Sequence, residues 1–119
     1  MHVRVAQRDF LPKWRIDASV VDMRSLDAVR QALRPNTKLV WVETPSNPLM
    51  EVTDIAGVAA VARKGGALVA VDNTFATPIL QRPLEQGADV ILHSTTKFCG
   101  GHSDVQGGCL VFRKREHVL

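Results

Sequence analysis

Lys97 lies in the run His93-Ser94-Thr95-Thr96-Lys97-Phe98-Cys99-Gly100-Gly101-His102-Ser103-Asp104, directly behind the apolar stretch Val90-Ile91-Leu92. Three hydroxyl side chains precede the amine and a glycine pair follows it. Those are parts for forming an imine beside a bound phosphate. A buried lysine amine is a nucleophile toward an aldehyde or ketone carbon. Upstream, Asp72 ends the apolar run Ala67-Leu68-Val69-Ala70-Val71, where a carboxylate can face a cationic ring nitrogen. Pyridoxal 5'-phosphate asks for both partners, an imine-forming lysine and an acid opposite its pyridinium nitrogen. Ser94 and Thr96 can donate hydroxyl hydrogen bonds to its phosphate, and neighbouring backbone amides can add an anion nest. Taken alone, the plainer readings stand beside this one: a solvated loop lysine, and a strand-end aspartate that caps a turn.

Such groups need a scaffold that gathers them, and the hydrophobic patterning describes one. Residues 38–43 read as a strand running into the loop Thr44-Pro45-Ser46-Asn47-Pro48. Ile55, Val58, Ala59 and Ala62 fall at helical spacing. Thr53 or Asp54 can cap that helix, Arg63 and Lys64 suit the negative end of its dipole, and Gly65-Gly66 can stop it. Residues 67–71 form an unalternating apolar strand, which implies burial on both faces. A shorter helix is expected over residues 26–33 behind Ser25 as N-cap, a short helix within 78–86, and strands at 89–92 and 108–112. Ser19-Val20-Val21 reads as one more short strand. Strands alternating with helices predict an α/β fold, a mostly parallel sheet flanked by helices. Ligands bind beyond the strand C-termini of such sheets, and Glu43, Asp72 and Ser94 all fall there.

The composition sets bounds on function. The 119 residues suffice for one modest domain, and 45% apolar with 23% charged residues is ordinary for a globular chain. A net charge of +3 is weak and scattered, and Arg113-Lys114-Arg115 reads as solvated surface, so no nucleic-acid partner is expected. No run approaches the ~20 apolar residues that span a bilayer, and the N-terminus has no secretory core. With only Cys99 and Cys109, a reducing cytoplasmic setting is the expectation. His93, His102 and the two cysteines lack zinc-ligand spacing, so no metal is expected. His93 reads as a buried structural histidine, Cys99 as a small packed residue, Trp14 and Trp41 as core or interface packing residues, and Met50 as a packing residue. The Gly101-His102-Ser103-Asp104-Val105 stretch is not a nucleophile elbow, because Val105 stands where the second glycine belongs. Dinucleotide and P-loop motifs are missing.

Three strings occur in order: Glu43-Thr44-Pro45-Ser46-Asn47-Pro48, then Val71-Asp72-Asn73-Thr74-Phe75-Ala76-Thr77-Pro78, then His93-Ser94-Thr95-Thr96-Lys97 with Gly101-His102-Ser103-Asp104. Together they closely resemble the Cys/Met-metabolism family of pyridoxal-phosphate enzymes, which includes cystathionine γ-synthase, cystathionine γ-lyase, methionine γ-lyase and homoserine sulfhydrylases. The likeness runs from about Phe10 to Leu119. It implies part of the large domain of fold-type I (aspartate-aminotransferase-like) enzymes. By position it implies Lys97 as the imine-forming catalytic lysine, Asp72 as the pyridinium partner, Ser94 and Thr96 as phosphate ligands, and Asn47 beside the ring oxygen and the substrate carboxylate. It also implies γ-elimination or γ-replacement on homoserine- or cysteine-derived amino acids such as cystathionine, in homo-oligomers.

The resemblance carries departures. The family's leading segment, with a tyrosine and an arginine for the neighbouring subunit's cofactor phosphate, has no match in the 119 residues. Neither do its stacking tyrosine and its C-terminal domain with a carboxylate-gripping arginine; the sequence contains no tyrosine. The expectation is therefore a single incomplete cofactor domain over residues 1–119. The alternative is a non-catalytic fragment or interaction remnant of such an enzyme.

Overall fold

The structure is a computed structural model, and it describes residues 5–118. Its frame is a four-stranded sheet of β1 (Leu39–Glu43), β2 (Leu68–Asp72), β3 (Val90–His93) and β4 (Cys109–Phe112), in the order β1-β2-β3-β4. β1 pairs with β2 and β2 with β3 in parallel, while β4 returns antiparallel along β3. Parallel neighbours need a crossover. Helix α2 (Ile55–Lys64) supplies the one between β1 and β2. Helix α1 (Leu26–Ala32) precedes β1, and the single turn α3 (Thr77–Leu80) follows β2. A π-helical turn at Ala6–Phe10 and 3-10 turns at Leu11–Trp14 and Arg115–His117 complete the elements.

Side-chain alternation explains where the core sits. Val40 and Val42 of β1 and Val69 and Val71 of β2 point to one face, where Ile55, Val58, Ala59 and Ala62 of α2 and Val29 of α1 meet them. Two-sided burial holds in the middle of β2, where Val69, Ala70 and Val71 are all buried. In β1 the strand alternates, with Trp41 half-buried between Val40 and Val42. Asp54 begins α2 as expected, its Oδ1 accepting the Gly57 amide at 2.9 Å, and the Gly65 amide closes the other end on the Ala62 and Arg63 carbonyls. Ser25 caps α1 by accepting from the Ala28 amide.

Several expectations differ from what forms. Residues 19–21 are irregular and pair with none of the four strands. The helix expected within 78–86 is the four-residue α3 at Thr77–Leu80, after which residues 83–87 form turns closed on the Pro83 and Leu84 carbonyls. Pro83 lacks the N–H that a continuing helix would donate. Met50 is exposed rather than packed, and Trp14 is exposed and so not a core residue of this chain. His93 is buried, whereas Cys99 is exposed. No helix among the described residues is long and apolar enough to cross a membrane.

The turn ahead of α1 is tied to the loop after β1 by one guanidinium. Arg24 grips Asp22 through both carboxylate oxygens, at 2.9 and 2.8 Å, and reaches Glu51 at 2.5 Å. The Arg24 side-chain hydrogen bonds hold the Asp22 carboxyl at about 2, below its ordinary 3.8. A depressed carboxylate favours the folded state above its ordinary pKa and loses that contribution as pH falls through the lower value. Carboxyl NMR is therefore expected to show Asp22 titrating near pH 2, and moving up toward ordinary carboxylate values in Arg24→Gln. Separately, Asp54→Ala removes the α2 cap and should lower stability by about 1 kcal/mol in urea unfolding.

Candidate functional site

The parallel ladder decides which side chains meet. Glu43 and Asp72 are register partners at the ends of β1 and β2, and Asp72 sits opposite Leu92 of β3, two residues before Ser94. The three loops leaving these strands enclose a cleft of about 510 Å³ at the C-terminal edge of the sheet. That size suits a small organic ligand, for which pockets of about 300–1,000 Å³ are usual. Asn47, Asp72, Ser94 and Lys97 all line it, together with Glu43, Thr74 and the ring pair Phe75 and Phe98. Those rings meet edge to face with centroids 6.4 Å apart, joining the loop after β2 to the loop after β3.

Of the five residues singled out from sequence, the structure brings four to this cleft. Asp72 is half-buried and held from one side only: its Oδ1 accepts the Thr74 amide at 3.0 Å and the Thr74 hydroxyl at 2.6 Å. No hydrogen bond from a described residue reaches its Oδ2. Lys97 lies on an exposed turn at the cleft rim, its amine in no ion pair with another described residue. Asn47 is exposed, on the loop after β1. Ser94 is half-buried where that third loop begins.

Thr96 is placed differently. Its hydroxyl accepts the Gly107 amide at 2.9 Å and donates to the Gly107 carbonyl at 3.2 Å, and its own amide meets that same carbonyl. Thr96 thus clasps the two ends of the lysine loop and does not line the cleft. Several of the neighbouring backbone amides that could add an anion nest are also engaged internally. Lys97 donates to the Ser94 carbonyl, Gly100 to Thr95 and Gly101 to Lys97. The physical reason is a tight turn that satisfies its own donors. A Cβ at Gly107 would lie 2.7 Å from the Thr95 hydroxyl, so a side chain there would require the Thr95 hydroxyl to move.

Behind the cleft runs a buried polar layer that the sequence motifs do not announce. Asn73 is fully buried; its side-chain Nδ2 donates to the Thr77 and Gln81 carbonyls and its Oδ1 accepts from Gln81 Nε2 at 2.7 Å. Gln81 also donates to the carbonyl of Thr44, whose hydroxyl in turn accepts the Thr53 amide. The network bolts the loop after β1 to the loop after β2. Thr74 is a further unannounced residue. Beyond its place in the second string, its sequence signal is the Asp-x-Thr spacing at a strand end, where an aspartate accepts the amide two residues on. Among the described residues no cluster of histidine, cysteine, aspartate and glutamate could hold a metal ion.

The donor set suits a phosphorylated pyridine aldehyde: an open carboxylate oxygen for a ring nitrogen, an amine for an aldehyde carbon, and a serine hydroxyl and an amide side chain for polar substituents. Residues 4–118 match the sequence profile of a family described as Cys/Met metabolism PLP-dependent enzymes. The chain is 53% identical over 104 residues to a cystathionine gamma-synthase of Mycobacterium leprae, covering 87% of this chain. It is 52% identical over 101 residues to a cystathionine gamma-lyase of Bacillus subtilis, covering 85% of this chain. It spans 27% of the length of each of those relatives. Its fold superposes on a crystal structure of cystathionine gamma-lyase from Lactobacillus plantarum complexed with L-serine, with a TM-score of 0.93 and 41% identity over 97% of this chain and 30% of that one.

Because Asn73 makes three hydrogen bonds out of reach of water, Asn73→Ala should cost about 2–3 kcal/mol, measured by denaturant unfolding. Cleft-lining Asn47→Ala, on an exposed loop, should stay within about 0.5 kcal/mol of the parent.

Proposed function

We propose that this chain, which belongs to the Cys/Met metabolism family of PLP-dependent enzymes, carries the cofactor-binding part of an enzyme acting on sulfur amino acids. The observation that supports the reading most strongly is the convergence of Lys97, Asp72, Ser94 and Asn47 on one cleft at the sheet edge. Pyridoxal phosphate, when bound, supplies a pyridinium ring that draws electrons from a carbanion on the substrate.

Each residue then has a defined task. Lys97 Nζ would hold the cofactor's aldehyde carbon covalently. Once released by an incoming amino group, the same amine would act as a general base and acid at substrate carbons. Its place on the rim turn suits that double use, since no ion pair with a described residue restrains it. Asp72 would take the ring nitrogen on Oδ2, the oxygen left open by Thr74. Ser94 would donate its hydroxyl to the phosphate. Thr96 would reach that phosphate only by leaving Gly107, so its resting contribution is to hold the lysine loop. Asn47 would orient the ring oxygen and the substrate carboxylate from the loop after β1.

The substrate class follows the named relatives: an amino acid derived from homoserine or cysteine, such as cystathionine, the γ-leaving group belonging to the homoserine-derived carbon chain. The reaction is γ-elimination or γ-replacement. The two free thiols at Cys99 and Cys109 suit a reducing, cytoplasmic setting.

Incubation with pyridoxal phosphate, borohydride reduction and peptide mapping tests the assignment. The label is expected on Lys97 and should vanish in Lys97→Ala. A label on another lysine overturns the role of Lys97. Asp72→Ala should weaken retention of the cofactor by at least tenfold, because a charge-assisted hydrogen bond contributes about 1.5–3 kcal/mol.

A further inference from the structure

The geometry points to Thr74 as a positioning residue that sets the ring-nitrogen end and the phosphate end of the cleft relative to one another. The inference rests on the cofactor reading above and assigns a role to a residue outside it. A hydroxyl has one proton to give and lone pairs to accept with. The Ser94 amide donates to Thr74 Oγ1 at 2.9 Å. The hydroxyl proton is therefore directed at Asp72 Oδ1, 2.6 Å away. The direction of the relay is fixed from amide to hydroxyl to carboxylate.

Position in the fold gives that relay its leverage. The last main-chain bond between the ends of β2 and β3 runs from the Asn73 amide to the Leu92 carbonyl at 3.0 Å. Beyond it the two loops diverge, and the Thr74 hydroxyl makes the next tie between them. Asp72 and Ser94 are thus tied to one another directly through one side chain. The Thr74 amide lands on the same Asp72 oxygen at 3.0 Å, so two donors from one residue fix the carboxylate through Oδ1 and leave Oδ2 without a hydrogen bond from a described residue. Two heavy atoms on Cβ restrict the threonine rotamer, which keeps the hydroxyl in this bridge. A ligand whose ring nitrogen and phosphate ester sit at a fixed separation needs both partners presented at matching spacing. Thr74 lines the cleft yet has its hydroxyl engaged by protein on both sides, so it acts through Asp72 and Ser94 rather than on the ligand.

Thr74→Val keeps the shape and removes the relay, Thr74→Ala removes both, and Thr74→Ser restores the hydroxyl. The first readout needs no cofactor: hydrogen exchange of the Ser94 amide, followed by NMR on the full chain. Exchange about tenfold faster in Val and Ala, and near parental in Ser, is expected from the loss of one hydrogen bond. The second is the dissociation constant of pyridoxal phosphate by fluorescence, expected about tenfold weaker in Val and Ala with recovery in Ser. Unchanged Ser94 exchange in both hydroxyl-free variants overturns the tie. Faster exchange with unchanged pyridoxal-phosphate affinity overturns its role toward the cofactor. If the parent chain takes up no pyridoxal phosphate, the cofactor reading falls and the Thr74 role toward it falls too, while Ser94 exchange still decides whether the tie exists.

Discussion

The parallel register of β1, β2 and β3 is the constraint on which everything else depends. Pairing Glu43 with Asp72, and Asp72 with Leu92, fixes where three chain segments leave the sheet and so which loops can share a cleft. A one-residue slip would send Val69 and Val71 to the opposite face and Asp72 away from its neighbours. The register is held by burial: Val40, Val42, Val69 and Val71 fit the apolar faces of α1 and α2. Core packing and site geometry are therefore one problem, solved by the same alternation of side chains.

Main-chain pairing stops where the loops begin, and buried polar contacts take over from there. Thr44, Asn73 and Gln81 satisfy one another and the neighbouring carbonyls, and Thr74 links the second loop to the third. Buried polar groups are costly when unpaired and strongly orienting when paired. This layer confers a preferred placement on loops that hydrophobic contact alone would leave loose. On the outer side, the Phe75–Phe98 contact does the same with apolar surface.

Much of this was legible in the sequence, for reasons that can be traced. Helix α2 announces itself through the spacing of Ile55, Val58, Ala59 and Ala62 and the Asp54 cap, all local properties. β2 follows from an apolar run ending in a charge. Asp72 and Lys97 stand out because a charged group beside an apolar strand is unusual. What remained hidden depends on partners distant in sequence. The Ser19-Val20-Val21 segment has strand-like residues but pairs with none of the four strands. Thr96 reads like a phosphate ligand until Gly107, eleven residues on, claims its hydroxyl. Asn73, Gln81 and Thr74 carry ordinary polar side chains whose value appears only when loops from separate strands come together.

The clasp between Thr96 and Gly107 bears on how this region can vary between relatives. Because the loop is pinned at its base, insertions next to Gly107 can be absorbed while the backbone at residue 96 stays put. Closing a longer loop is entropically cheap, about 0.6 kcal/mol for each doubling of length. Freedom to change shape and length is thus left to Val105 and Gln106, since Gly101-His102-Ser103-Asp104 belongs to the strings shared with the family and the Gly101 amide closes the lysine turn on the Lys97 carbonyl.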